Sequence, residues 1–123
     1  MEIKSIYGPR ISTAIELIWN TFLQFEAPDY SDEGIKSFKD LIGSKEIIST
    51  LEFWGAYDGG ELKGVIATNE NRGHICCFFV AAVHHRQGIG RKLWEHLLEN
   101  SECSVITVNS SPYAVAFYRK LGF

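Results

Sequence analysis

Apolar residues recur along this chain at two spacings, and each spacing predicts one kind of secondary structure. From Ile11 to Phe25 they return every three or four positions, as on the buried face of a helix. Ser31 can cap the free amides of a second, shorter helix that stops at Gly43. The helical spacing returns after Gly88 and again in a last helix after residues 111–112, where Ser111 precedes a proline.

Between these helices, β-branched residues, alternation and turn residues indicate strands. Five strands are predicted, at residues 1–7, 52–57, 61–68, 74–81 and 104–108. Gly59 and Gly60 form the tight turn of a hairpin, since glycine tolerates positive φ. The fourth strand is so uniformly apolar that we expect a central strand covered on both faces. The predicted order is strand, helix, helix, three strands, helix, strand, helix.

Length and composition favour one folded domain spanning residues 1–123. With 46% hydrophobic residues the chain can build a core. Its longest apolar run, residues 75–83, is far shorter than the roughly 20 residues of a membrane-crossing helix, and residues 1–4 do not resemble a signal peptide. A net charge of −3 argues against general nucleic-acid binding. We therefore expect a soluble, cytoplasmic protein that binds neither membrane nor nucleic acid.

Three cysteines, Cys76, Cys77 and Cys103, make an odd number without Cys-x-x-Cys spacing. We expect all three to be reduced and buried, with Cys76 and Cys77 on opposite faces of their strand. No metal site is expected.

The segment most informative about chemistry runs from a buried strand through a short loop into a helix that begins near Gly88 and Gly90. Amides at a helix start carry partial positive charge, and glycines let a phosphate approach them. Arg86, Arg91 and Lys92 add three positive charges with no acid among them. An anion site is one interpretation, and close packing of helix on sheet is the other. Neither a Walker nor a dinucleotide-binding motif fits the spacing.

Two motifs here resemble the GNAT superfamily of N-acetyltransferases. His85-Arg86-Gln87-Gly88-Ile89-Gly90, with Val80 upstream, is similar to the family's Gln/Arg-x-x-Gly-x-Gly/Ala, although His85 replaces Gln or Arg. Residues 108–123 resemble the family's strand, helix and closing Tyr-x-x-Leu-Gly-Phe. Ser111 stands where members often carry asparagine, which leaves open whether Asn109 does the equivalent work. The resemblance covers roughly residues 74–123.

The resemblance implies a mixed α/β (α+β) fold in which a mostly antiparallel central sheet is flanked by four helices. It implies acetyl-coenzyme A as cosubstrate, with the pyrophosphate on the amides of residues 86–91 and the pantetheine arm beside residues 78–80. Amides near Phe79 and Val80 would face the acetyl carbonyl. The implied coenzyme-binding residues are Phe78, Phe79, Val80, His85, Arg86, Gln87, Gly88, Ile89, Gly90, Arg91, Asn109 and Tyr118.

Tyr118 matches the family tyrosine that protonates or hydrogen-bonds the departing thiolate; the alternative is that it only packs in the core. The acceptor implied is an amine on a small molecule or a protein. The general base that takes the proton from this amine is left open. The candidates are a water molecule and five side chains: Glu26, Asp29, Tyr30, His74 and His84.

Family members continue past Leu-Gly-Phe with one or two more strands, whereas this sequence stops at Phe123. We expect those strands to be missing and the acceptor side to be incomplete. Three explanations stay open: a missing tail, a wall supplied by a partner as in a homodimer, or a short variant. The incomplete side also keeps a second function open, a non-catalytic module that binds or senses acyl-coenzyme A.

Overall fold

A computed structural model describes residues 1–81 and 88–123 of the chain. Its strands and α-helices, in chain order, are β1 (Glu2–Ile6), α1 (Ile11–Phe25), α2 (Asp32–Gly43), α3 (Lys45–Ser49), β2 (Glu52–Asp58), β3 (Glu61–Thr68), β4 (His74–Val80), α4 (Ile89–Asn100), β5 (Thr107–Val108) and α5 (Val115–Lys120).

The five strands form one sheet in the order β1-β2-β3-β4-β5. The first three pairings are antiparallel, and β4 pairs with β5 in parallel. This confirms the mixed, mostly antiparallel sheet that the sequence predicted. The described residues contain five α-helices instead of the four expected. The additional one, α3, spans five residues, too few for a periodic pattern, and is capped by the Ser44 hydroxyl, which accepts from the Ile47 amide at 3.3 Å.

Each face of the sheet is covered by its own helices. Helices α1 and α2 pack on one face, where Phe22 of α1 joins Val65 and Phe79 of the sheet in one core cluster. Helix α4 and the turn into α5 pack on the other face over Ile66 and Leu93. Side chains of β4 enter both clusters, so the fourth predicted strand is indeed covered on both faces.

Local signals placed most elements to within a residue or two. Helix α1 has the predicted bounds, and the Ser31 hydroxyl accepts from the Gly34 amide at 3.1 Å to cap α2. The last helix begins three residues later than its proline suggested. There the Ser111 hydroxyl accepts from the Ala114 amide at 3.3 Å within a turn, and α5 starts at Val115. Strand β5 has two residues where five were predicted.

No helix within residues 1–81 or 88–123 is long and apolar enough to cross a membrane.

Candidate active site

Strands β4 and β5 diverge soon after they pair. In the described part of the chain, β5 pairs only with the first two residues of β4. The Ala81 amide donates to the Lys63 carbonyl at 2.9 Å on the β3 side. Because successive main-chain groups point to opposite edges of a strand, Phe79 also faces β3, whereas Phe78 and Val80 face the diverging side. The Phe79 amide therefore does not face the opening, contrary to the expectation for an acetyl-binding donor.

A cavity of about 470 Å³ lies beside the end of β4, and we call it the larger cavity. It is bounded by the end of α1, the end of β4, the start of α4 and the segment that contains α5. Its described lining residues are Thr21, Phe25, Glu26, Phe78, Phe79, Val80, Gly88, Ile89, Gly90, Arg91, Tyr113, Ala114, Phe117, Lys120 and Leu121. Seven of the predicted coenzyme-binding residues are thus brought together at one cavity.

The two glycines at the start of α4 are required for different reasons. Gly88 precedes the helix with φ +77°, a left-handed conformation, and a Cβ built there would meet nothing within 4 Å. A Cβ on Gly90 would lie 2.8 Å from the Phe117 ring. Close packing, the alternative interpretation of the motif, therefore explains Gly90. Gly88 leaves open space in front of the first amides of α4.

Two positively charged side chains lie at the end of the larger cavity that is formed by the start of α4 and the end of α5. The Arg91 guanidinium donates through Nη2 to the Lys120 carbonyl at 2.9 Å, which ties α4 to the end of α5. Lys120 also lines the cavity, and the sequence analysis did not select it. Its position three residues after Phe117, on the same face of α5, is the signal that could have identified it. Lys92 is exposed and is not among the described lining residues.

Three of the predicted coenzyme-binding residues, His85, Arg86 and Gln87, lie outside the described residues, as does the candidate base His84.

A smaller cavity of about 270 Å³ is lined by β4, β5, the turn that leads into α5 and the α1–α2 segment. It shares Glu26, Phe78, Phe79 and Ala114 with the larger cavity. Its other described lining residues are Tyr30, Phe38, Leu41, His74, Ile75, Cys76, Cys77, Val108, Asn109, Ser111 and Tyr118. Asn109 and Tyr118, the two predicted residues within the described part of the chain that do not line the larger cavity, are both here. The two cavities therefore meet beside the end of α1.

Among the candidate bases that the structure describes, Glu26 is the one that lines both cavities. Tyr30 and His74 line only the smaller cavity, and Asp29 is exposed and lines neither. Burial raises the pKa of the Glu26 carboxyl, and the Ser111 hydroxyl acts in the opposite direction by hydrogen bonding to it. A carboxylate with a raised pKa is a stronger base than an exposed one.

Tyr118 is packed in the core and also faces the smaller cavity. Only 7% of it is exposed, and its ring makes edge contacts with Phe78, Phe117 and Phe123. Burial raises the pKa of its phenol far above the ordinary value, and the nearby Glu26 carboxylate raises it further. Tyr118 is therefore a neutral hydrogen-bond donor at physiological pH.

The cysteine prediction is half right. All three cysteines are free, as expected, but of the three only Cys77 is buried, whereas Cys76 and Cys103 are partly exposed. Ala67 pairs with Cys77 and Thr68 pairs with Ile75, so Cys76 is the extra residue of a β-bulge. The bulge interrupts the alternation, and both thiols line the smaller cavity. Burial raises the pKa of the Cys77 thiol to about 12, so it stays protonated.

His74 opens β4 at the far end of the smaller cavity. Its Nδ1 lies 2.7 Å from the Thr107 hydroxyl oxygen on β5. This hydrogen bond joins the two strands where they still pair. Among residues 1–81 and 88–123, no group of three or more His, Cys, Asp or Glu side chains is arranged to hold a metal ion.

Comparisons with known proteins bear on the family and the fold of the chain. A family model described as an acetyltransferase (GNAT) domain matches residues 26–123. No curated protein matches the chain in sequence.

Solved structures give the fold. A GCN5-related N-acetyltransferase from Rhodopseudomonas palustris has a TM-score of 0.84 at 17% identity, over 98% of this chain and 79% of that one. The PaiA N-acetyltransferase from Thermoplasma acidophilum, in complex with coenzyme A, has a TM-score of 0.74 at 20% identity, over 100% of this chain and 90% of that one. An aminoglycoside acetyltransferase from an uncultured soil metagenomic sample has a TM-score of 0.69 at 22% identity, and the match covers 98% of this chain and 90% of that one. At these identities the likeness establishes the fold alone.

Proposed function

Because this chain belongs to the GNAT acetyltransferase family, we propose that it transfers the acetyl group of acetyl-coenzyme A to a primary amine. The observation that carries the proposal is the junction of two cavities beside Glu26, Phe78 and Phe79. One cavity offers cations and a helix start, as a coenzyme needs. The other offers a carboxylate and a phenol, as an amine acceptor and a thiolate need.

The coenzyme is assigned to the larger cavity. Its diphosphate would lie against the first amides of α4, where Gly88 leaves space and Arg91 and Lys120 supply positive charge. Its pantetheine arm would follow the edge of β4 that Phe78 and Val80 face, in the manner of an added strand. This orientation takes the thioester toward the junction and away from the cations.

The proposed reaction is a direct acyl transfer. The amine nitrogen attacks the thioester carbon, which forms the C–N bond of a tetrahedral intermediate. Collapse of this intermediate restores the C=O bond and breaks the C–S bond, and the proton that the nitrogen then loses can pass to the released thiolate. Main-chain amides on the diverging edge of β4 would stabilise the negative charge on the carbonyl oxygen. Tyr118, held neutral by burial, would donate a hydrogen bond to the departing sulfur, because a thiolate leaves more easily when it is hydrogen-bonded.

Glu26 is the base that this proposal favours. The acceptor arrives as an ammonium ion and must lose a proton before its lone pair can attack. Glu26 lines both cavities, so its carboxylate can take that proton at the point where acceptor and thioester meet. Its raised pKa makes this transfer easier than it would be for an exposed carboxylate.

The experiment follows free coenzyme A, separated by chromatography, during incubation of acetyl-coenzyme A with a panel of primary amines. The wild-type protein should release coenzyme A only when an amine is present. Tyr118→Phe should lower kcat by about a hundredfold, while the acetyl-coenzyme A Kd stays within about twofold. Tyr7→Phe is the matched control, since Tyr7 is 74% exposed and lines neither cavity, and it should behave as wild type.

Release that no amine stimulates, together with tight acetyl-coenzyme A binding, would contradict the enzyme and favour the non-catalytic binding module. Equal losses of binding and turnover in Tyr118→Phe would assign Tyr118 to packing alone.

A further inference from the structure

The smaller cavity carries very little charge for an acceptor site. Among its described lining residues, Glu26 is the single carboxylate, and neither lysine nor arginine is present. One carboxylate can balance one ammonium group. A second ammonium on the same acceptor would enter the cavity without a counter-charge, and burying an unpaired charge is costly.

Part of the wall of the smaller cavity is aromatic and packed. Phe38 stacks on Phe22 with ring centroids 4.2 Å apart, and Tyr30 meets Phe22 edge-on at 5.1 Å. Phe38 also contacts Phe79 at 6.0 Å, and both line the smaller cavity. These rings are fixed by one another, so the cavity already has a surface for a flat or extended apolar group.

The volume of the smaller cavity favours a small acceptor. A volume of about 270 Å³ lies below the range of roughly 300–1,000 Å³ that is usual for sites of drug-sized ligands. A polycationic aminoglycoside carries more positive charge than the single carboxylate among the described lining residues can balance.

We infer that the acceptor is a compact primary amine with one positive charge and an apolar, preferably aromatic, body. The inference rests on the proposed function, because it assigns the smaller cavity to the acceptor. It separates this chain from its structural neighbour that is named an aminoglycoside acetyltransferase, although the two share a fold.

The test uses amines that differ in one property at a time, with coenzyme A release at fixed acetyl-coenzyme A as the readout. Pentylamine and 1,5-diaminopentane have similar lengths and differ in the second ammonium group. We expect kcat/KM for pentylamine to exceed that for the diamine by at least tenfold. 2-Phenylethylamine should be better than pentylamine, and kanamycin should give no release above background.

A charge-gain variant tests the cause. Asn109→Asp is nearly isosteric and adds a second carboxylate to the lining of the smaller cavity. It should raise the diamine-to-monoamine ratio of kcat/KM by about fivefold, the size of one partly exposed ion pair. Asn20→Asp is the matched control, because it makes the same charge change at an exposed position of α1 outside both cavities, and the ratio should not change.

A wild-type preference for 1,5-diaminopentane or kanamycin would overturn the acceptor class and leave acetyl transfer standing. An equal rise of the ratio in both Asp variants would overturn the role of the cavity charge. No release with these four amines, while another amine of the wider panel supports release, would overturn the acceptor class alone. No release with any amine of that panel, despite acetyl-coenzyme A binding, would remove the proposed function and this inference with it.

Discussion

A methyl group placed at Gly88 tests where the coenzyme's phosphates bind. Gly88 has φ +77°, and a Cβ there meets nothing within 4 Å, so Gly88→Ala adds its methyl to the open space before α4. The variant also carries backbone strain, which lowers stability for a reason unrelated to the coenzyme. A second glycine is needed to separate the two effects.

Gly60, in the hairpin turn between β2 and β3, is that control. Its φ is +82°, a Cβ there also meets nothing within 4 Å, and it lines neither cavity. A non-glycine residue in this conformation costs about 1–2 kcal/mol, so both Ala variants should lose a similar amount of stability. For a chain of this size the fall in Tm is roughly 3–10 °C.

Coenzyme affinity should separate the variants. Titration calorimetry with acetyl-coenzyme A should give a Kd for Gly88→Ala about tenfold above wild type, or about 1.4 kcal/mol, because the methyl keeps the diphosphate away from the α4 amides. Gly60→Ala should bind as wild type does, at a temperature where both variants are folded. Equal Kd values for the two variants would refute the placement of the phosphates at α4.

Three further outcomes are expected. Glu26→Gln should lower turnover and remove one ionisation from the acid side of the plot of kcat/KM against pH. Because burial raises the pKa of Glu26, wild-type kcat/KM should begin to fall, as the pH is lowered, above the ordinary glutamate range. An unchanged profile in the variant would exclude Glu26 as the base. In Gly90→Ala the new Cβ would lie 2.8 Å from the Phe117 ring, so the ring must move, coenzyme binding should weaken several-fold and Tm should fall. An unchanged Kd and an unchanged Tm would contradict the close packing of Gly90 on Phe117. Ser31→Ala should cost about 1 kcal/mol in urea unfolding without changing turnover, and no loss would deny the cap.

Local patterns in the sequence were sufficient for most of the fold. Helical spacing defined α1, the Ser31 hydroxyl marked the start of α2, and paired glycines located the hairpin between β2 and β3. Two features lay beyond such patterns. Helix α3 is too short to show a period, and α5 begins after a turn in which Ser111 makes the same hydrogen bond that it would make as a helix cap.

The site shows the same division. The glycine pattern at a helix start indicated Gly88 and Gly90, and the resemblance to the family's closing motif indicated Tyr118. The bulge at Cys76 could not be predicted, since it arises from the register with β3 and changes which side chains enter the smaller cavity. Glu26 was one of several open candidates. Only the packing of α1 against β4 places it at the junction of the two cavities.

The most direct test of the account is a crystal structure of this protein with acetyl-coenzyme A. We predict the diphosphate within about 3.5 Å of the first amide nitrogens of α4, and the thioester at the junction lined by Glu26 and Phe78. The methyl end should face the smaller cavity. A coenzyme bound elsewhere, or one whose thioester lies at the Arg91 and Lys120 end, would contradict the account.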